Sequence, residues 1–177
     1  MKNFFISFKK LQIFSSAAIF ALILILNSST VFSETLTSST KTEITREEAI
    51  ERIVELVNIE RKKEGLKPLK LSRELLRPAA IRAKEITKLF SHTRPNGLPF
   101  NTAFYGIDYE MAGENIAAGQ TSCEMVMQQW MDSPGHRANI LNKNYDRIGI
   151  GYLYDKKTAY KHFWVQHFTK SKKTSRR

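Results

Sequence analysis

The chain has 177 residues, 42% of them hydrophobic, enough for one globular domain with a core of its own. Its 28 Lys and Arg against 17 Asp and Glu give a net charge of +11, but three lysines before residue 11 and five cations in 170–177 account for eight of those charges. The near-balanced middle excludes the basic face of a nucleic-acid binder, and a single Cys excludes a disulfide framework or a Cys-rich zinc module.

Residues 1–33 read as a secretory signal. Lys2, Lys9 and Lys10 precede an apolar run over 11–26, and polar residues and a small Ser33 follow it. The run falls short of the roughly 20 residues that span a bilayer. Cleavage and release from the cell are therefore expected, with an N-terminal membrane anchor as the alternative. Ser- and Thr-rich 34–44 is a linker, and 45–169 the folded domain.

A first helix opens at Thr45 with capping-box spacing to Glu48, carries Ala49, Ile50, Ile53, Val54 and Val57 at helical period, and stops at Gly65. Ser72 is placed to cap a second helix with Leu75, Leu76, Ala79, Ala80, Ala83 and Ile86 on its apolar face. Pro78 is expected to kink that helix or displace its start. Residues 91–100 form a loop punctuated by Pro95, Asn96-Gly97 and Pro99, and 113–119 is extended. A second capping box, Thr121-Ser122-Cys123-Glu124, starts a helix that runs to about Asp132 and is broken by Ser133-Pro134-Gly135. Strands are expected over 147–154 and over 160–169, the latter with Phe163, Val165 and His167 on one face. Helices first and strands after give an α+β class. The basic tail, 170–177, is a solvated end with a sharper reading as an attractor of anionic wall polymers or lipid headgroups.

No His-Glu-x-x-His, Gly-x-Ser-x-Gly or phosphate-cradling loop is present. Cys123 has no base near it in sequence and reads as a structural thiol. His92, Glu114 and His136 stand out because each falls in a Gly- or Pro-rich segment, where binding sites tend to be built. Two imidazoles and a carboxylate can hold a divalent metal with an open position. Loop histidines more often order the backbone by hydrogen bonds, and spacing alone leaves both readings standing at this point. His162 and His167, without a partner motif, read as structural.

Several ordered motifs make the chain resemble the CAP superfamily (cysteine-rich secretory, antigen 5, pathogenesis-related 1) in its short bacterial, SCP-like form. They are Asn58-Ile59-Glu60-Arg61, Gly65-Leu66-Lys67-Pro68-Leu69, Ser91-His92-Thr93-Arg94-Pro95, Gly113-Glu114-Asn115-Ile116-Ala117, and Trp130 through Ser133-Pro134-Gly135-His136-Arg137-Ala138-Asn139. Ile148-Gly149-Ile150-Gly151 and Trp164-Val165-Gln166 follow. The resemblance implies a three-layer α-β-α sandwich whose cleft displays a His/Glu tetrad, with His92, Glu114 and His136 as three members. Many eukaryotic relatives carry a fourth, a Glu three residues after the helix Trp; here that position is Ser133, and Gln166 stands near where relatives have a Cys. The resemblance further implies an exported, monomeric binding module whose cleft takes zinc or another divalent cation, a peptide, a glycan or a lipid. The alternative is a metal-dependent hydrolase, a peptidase or wall-acting enzyme, with Glu114 as general base; the missing carboxylate favours the binding module.

Overall fold

The computed structural model describes residues 44–172. The expected signal, the linker through 43 and the tail from 173 onward lie outside the described residues.

Helix α1 (Arg46–Lys63) opens with both halves of the expected capping box. The Thr45 hydroxyl accepts from the Glu48 N–H at 3.2 Å, and the Glu48 carboxylate accepts from the Thr45 N–H at 2.8 Å. Ala49, Ile53 and Val57, all fully buried, form its inner stripe. A two-residue strand, β1 (Lys70–Leu71), then pairs parallel with a later strand, an element that the sequence pattern does not show. Such a pairing joins residues more than 70 positions apart, so no local pattern marks it.

Helix α2 (Arg73–Glu85) starts directly after Ser72, although the Ser72 side chain makes no capping bond. Pro78 sits inside it and does not displace its start. An internal proline removes one helical hydrogen bond and costs about 3 kcal/mol in isolation. Close packing on the sheet offsets that cost. A Cβ on Gly149 would lie 2.8 Å from the Leu75 carbonyl oxygen, and one on Gly151 would collide with the Ala79 carbonyl. Only glycine at both positions lets the helix approach this closely.

Strand β2 (Met111–Ala118) comes next, then α3 (Cys123–Asp132), α4 (Pro134–Ile140), β3 (Arg147–Tyr154) and β4 (His162–Lys170). Two sequence expectations need correction. The cap of α3 is Ser122, whose hydroxyl accepts from the Met125 N–H, rather than Thr121. Ser133-Pro134-Gly135 ends α3 but also begins α4, because proline at a helix's first position lacks only an N–H that would be unpaired there anyway. His136 therefore sits on a helix, not in a loop.

The sheet order is β1-β3-β4-β2, with β3 and β2 both antiparallel to β4. Alternation along the strands divides the core. Ile116, Phe163 and Val165 face Ala79, Ala83 and Ile86 of α2. Ala117, Ile148, Ile150, Trp164 and Phe168 face α1 and α3, where Trp130 is fully buried. The result is the expected three-layer α-β-α sandwich. Edge strand β2 is covered rather than left open: the Trp130 indole donates to the Ile116 carbonyl at 3.4 Å, and the Asn139 amide to the Glu114 carbonyl at 3.3 Å. No helix of the described residues is long and apolar enough to cross a membrane.

Candidate functional site

Register decides the centre of the site. Glu114 on β2 pairs directly with His167 on β4, so both side chains emerge on the α2 face. Helix α2 sends Arg82 to meet them from the middle of its buried stripe. All three are buried: Glu114 is 4% exposed and the other two not at all.

The Glu114 carboxylate receives four hydrogen bonds. Arg82 donates from Nε to Oε2 at 2.9 Å and from Nη2 to Oε1 at 3.2 Å. His167 Nε2 donates to Oε2 at 3.0 Å, and His92 Nδ1 to Oε1 at 2.9 Å. An ionised carboxylate can only accept, so these contacts specify the proton-bearing nitrogen of each ring. Burial alone would raise the Glu114 pKa, but the hydrogen bonds from His167, His92 and Arg82 outweigh it and bring the group down to about 2. His167 moves below its usual value because burial disfavours its cation more than Glu114 favours it, so the ring is neutral at pH 7.

A second layer of charge steadies Arg82. Its Nη1 donates to Glu85 at 2.9 Å and its Nη2 to the Ser91 carbonyl at 2.5 Å. Arg94 forks onto the same Glu85, the shortest contact 2.7 Å. Arg94 belongs to the 91–100 loop, which closes on itself through the Thr93–Pro99 bridge and the Arg94 N–H to Leu98 carbonyl bond. The ion network thus clamps the loop carrying His92 to α2. The rings of Phe104 and Phe100, 4.6 and 6.0 Å from His167 between centroids, close the inner side.

His136 approaches around the β2 edge from α4. Its backbone carbonyl accepts from the Asn115 amide at 3.1 Å, and Asn115 is held in turn by Gln166 at 2.9 Å and Asn139 at 2.9 Å. Burial, and then the repulsion that a second cation would meet beside His92, lower its pKa. Its Nδ1 is buried with no hydrogen-bond partner among the described residues.

The residues singled out by sequence therefore meet in unequal roles. Glu114 and His92 are bonded to each other, and His136 lies close enough to His92 that the two rings would repel if both were protonated. Glu114 does not fit a metal ligand, since its lone pairs are already taken by Arg82 and the two imidazoles. Among the described residues no group of three or more His, Cys, Asp or Glu side chains is arranged to hold a metal ion. Cys123 is buried, and burial together with nearby Glu124 pushes its thiol up to about 11, as expected of a structural thiol. His162 contacts the Tyr152 hydroxyl at 2.9 Å, away from this centre.

Sequence reading missed Arg82 and His167. Arg82 had a visible signal, a charge in the stripe of Leu75, Ala79, Ala83 and Ile86. His167 had none, because only strand register sets it opposite Glu114.

A model of the cysteine-rich secretory protein (CAP) family matches residues 54–168. The chain belongs to this family. YkwD of Bacillus subtilis (strain 168) is 45% identical over 106 residues, covering 58% of this CAP chain and 41% of that protein. The membrane protein YlbC of the same organism is 28% identical over 123 residues, covering 67% and 34%. The chain thus spans about two fifths and one third of the length of these relatives. Among solved structures, an extracellular protein containing an SCP domain from Bacillus anthracis superposes with a TM-score of 0.64 at 28% identity, over 71% of this chain and 41% of that one. An outer surface protein from Borrelia burgdorferi shares the fold, with a TM-score of 0.65 at 23% identity over 73% and 97%.

Proposed function

We propose that this CAP domain is an exported binding module that presents His92 and His136 to its ligand and does not use Glu114 for chemistry. The observation that carries this reading is the saturation of the Glu114 carboxylate. A general base works best with a pKa near the operating pH, and a carboxylate held at about 2 by Arg82, His92 and His167 is a poor one. What Glu114 does instead is orient. By accepting from His92 Nδ1 it leaves Nε2 of that half-exposed ring as a free acceptor, the arrangement in which a carboxylate steers an imidazole toward a ligand.

Two neutral imidazoles suit a divalent cation such as zinc, whose remaining positions stay open to water or to a peptide, glycan or lipid group. A bound metal would supply Lewis acidity; this chain's own contribution is to orient the His92 ring through Glu114 and to fix the His136 backbone through Asn115. With two protein donors, affinity is modest, and it weakens in acid because an imidazole must be neutral to donate its lone pair. The domain acts outside the cell, and the basic end beyond Lys172 adds attraction to anionic envelope surfaces.

Zinc titration calorimetry tests this. His92→Ala/His136→Ala is expected to abolish binding, while Glu114→Gln, which keeps the ring's partner without its charge, weakens it roughly 10- to 100-fold. Equal affinity in wild type and the double variant would overturn the cleft-metal reading. Zinc-dependent turnover of peptide or peptidoglycan that disappears in Glu114→Gln would replace it with the hydrolase.

A further inference from the structure

Helix α2 carries charge on two opposite faces, and the inner one alone is explained by the site. At 100° per residue, Arg73, Arg77 and Lys84 fall within about 40° of one another, diametrically across from Arg82. All three are exposed, and so is Arg46 at the start of α1. Together they rim a depression of about 410 Å³ whose floor is Leu76, Ala80 and Ile81, each half-buried.

No acid lines that depression, and none of its four cations makes an ion pair among the described residues. Several arginines elsewhere on the surface are neutralised by acids, whereas here four cations share one depression with none. Arg52 is paired with Glu55 and Glu124, Arg137 with Glu64, and Arg147 with Glu74. Four unpaired like charges around one groove raise the local positive potential, and an anion laid among them relieves it.

We propose that the outer face of α2 is a docking groove for an extended phosphate-bearing polymer, lying along the helix axis across Arg73, Arg77 and Lys84. The cations are strung out over roughly 16 Å at 1.5 Å per residue. One small anion reaches one or two of them, whereas a chain of repeated phosphates meets them all. The groove is recessed and its floor is half-buried, so it does not present apolar side chains to a bilayer. The large exposed apolar residues, such as Phe90 and Tyr160, belong to other elements. Its lining has no aromatic platform on which unpaired nucleobases stack, which argues against a single-stranded nucleic acid. The proposal is independent of the histidine cleft, which lies on the inner side of the same helix.

The test uses the full chain and long-chain inorganic polyphosphate as the probe, with affinity read by calorimetry over a series of salt concentrations. Arg73→Gln/Arg77→Gln/Lys84→Gln is expected to weaken binding at least about tenfold and to flatten the slope of log affinity against log salt by about two, at roughly 0.7 per charge. Lys143→Gln/Lys156→Gln/Lys157→Gln removes the same net charge from another surface and is expected to bind like wild type. Equal losses in the two triple variants would reduce the effect to net charge and overturn the groove. Wild-type affinity in the α2 variant would do the same, placing the binding in the basic tail. Vesicles of anionic lipid that bind more tightly than polyphosphate, and lose binding in the α2 variant, would overturn the polymer in favour of a membrane surface. If the α2 triple variant melts below wild type, Arg77→Gln and Lys84→Gln singly carry the test, each expected to lose a few-fold in affinity.

Discussion

Arg61 and Arg82 are both buried arginines, 1% and 0% exposed, and they are used in opposite ways. Arg61 donates only to backbone carbonyls: Nε to Lys67 at 2.9 Å, and Nη1 to Ile140 at 2.7 Å and Asn142 at 2.9 Å. It ties the end of α1 to the end of α4 and meets no anion, so burial lowers its pKa. Burial also acts against the Arg82 cation, but hydrogen bonds to Glu114 and Glu85 more than compensate and its pKa rises. The same side chain acts as a brace at one end of the molecule and as a counterion at the other. A buried charge facing a buried charge is where chemistry is set up; a buried charge facing carbonyls holds the chain together.

The largest expected effect is at the counterion. Arg82→Met strands the Glu114 anion in the interior, and breaking a buried pair from one side costs about 3–5 kcal/mol. Denaturant unfolding should show that loss, and Arg82→Met/Glu114→Leu should recover a large part of it. If the double variant is as unstable as the sum of the singles, the pair is not coupled and the contrast with Arg61 collapses.

Arg61→Met is expected to cost less, about 2–3 kcal/mol, because it leaves neutral carbonyls short of donors and no stranded charge. The same unfolding measurement checks it, and a loss larger than that of Arg82→Met would reverse the assignment of roles.

Acid sharpens the comparison further. His136 and His167 have native pKa values below the ordinary 6.5, so the unfolded chain takes up their protons first and stability falls as pH drops below about 6.5. Glu114, lowered from 4.5 to about 2, contributes stability that is full above 4.5 and is lost between 4.5 and 2. Unfolding curves taken across pH should therefore be flatter below 4.5 in Glu114→Gln than in wild type, while Arg61→Met keeps the wild-type shape. The smallest effect is expected from Glu85→Gln, whose 18% exposed side chain still accepts from Arg82 and Arg94 without its charge, at about 1 kcal/mol. A larger loss in a thermal melt would move the centre of the network from Glu114 to Glu85.

Much of this architecture was legible in the sequence because it rests on local rules. The Thr45 capping box, the apolar stripes of α1 and α2 and the alternation in 147–154 depend on residues within a turn or a strand of one another. The CAP motifs likewise brought out His92, Glu114 and His136 as residues of one site. Pro134 shows where local reading fails, since the same residue that ends one helix begins the next.

What only the tertiary structure decided is how those residues are used. The pairing of β2 with β4 sets His167 opposite Glu114, and the packing of α2 against Gly149 and Gly151 brings Arg82 within reach of both. Register and close approach are properties of chain segments about 50 to 75 positions apart, and nothing in the local sequence around Glu114 records that its carboxylate is spoken for. The sequence by itself determined most of the elements, the family and three of the site's polar residues, His92, Glu114 and His136. Long-range packing turned a carboxylate that reads as a base or a metal ligand into the anchor of two imidazoles, because burial leaves an anion no choice but to find its donors inside the protein.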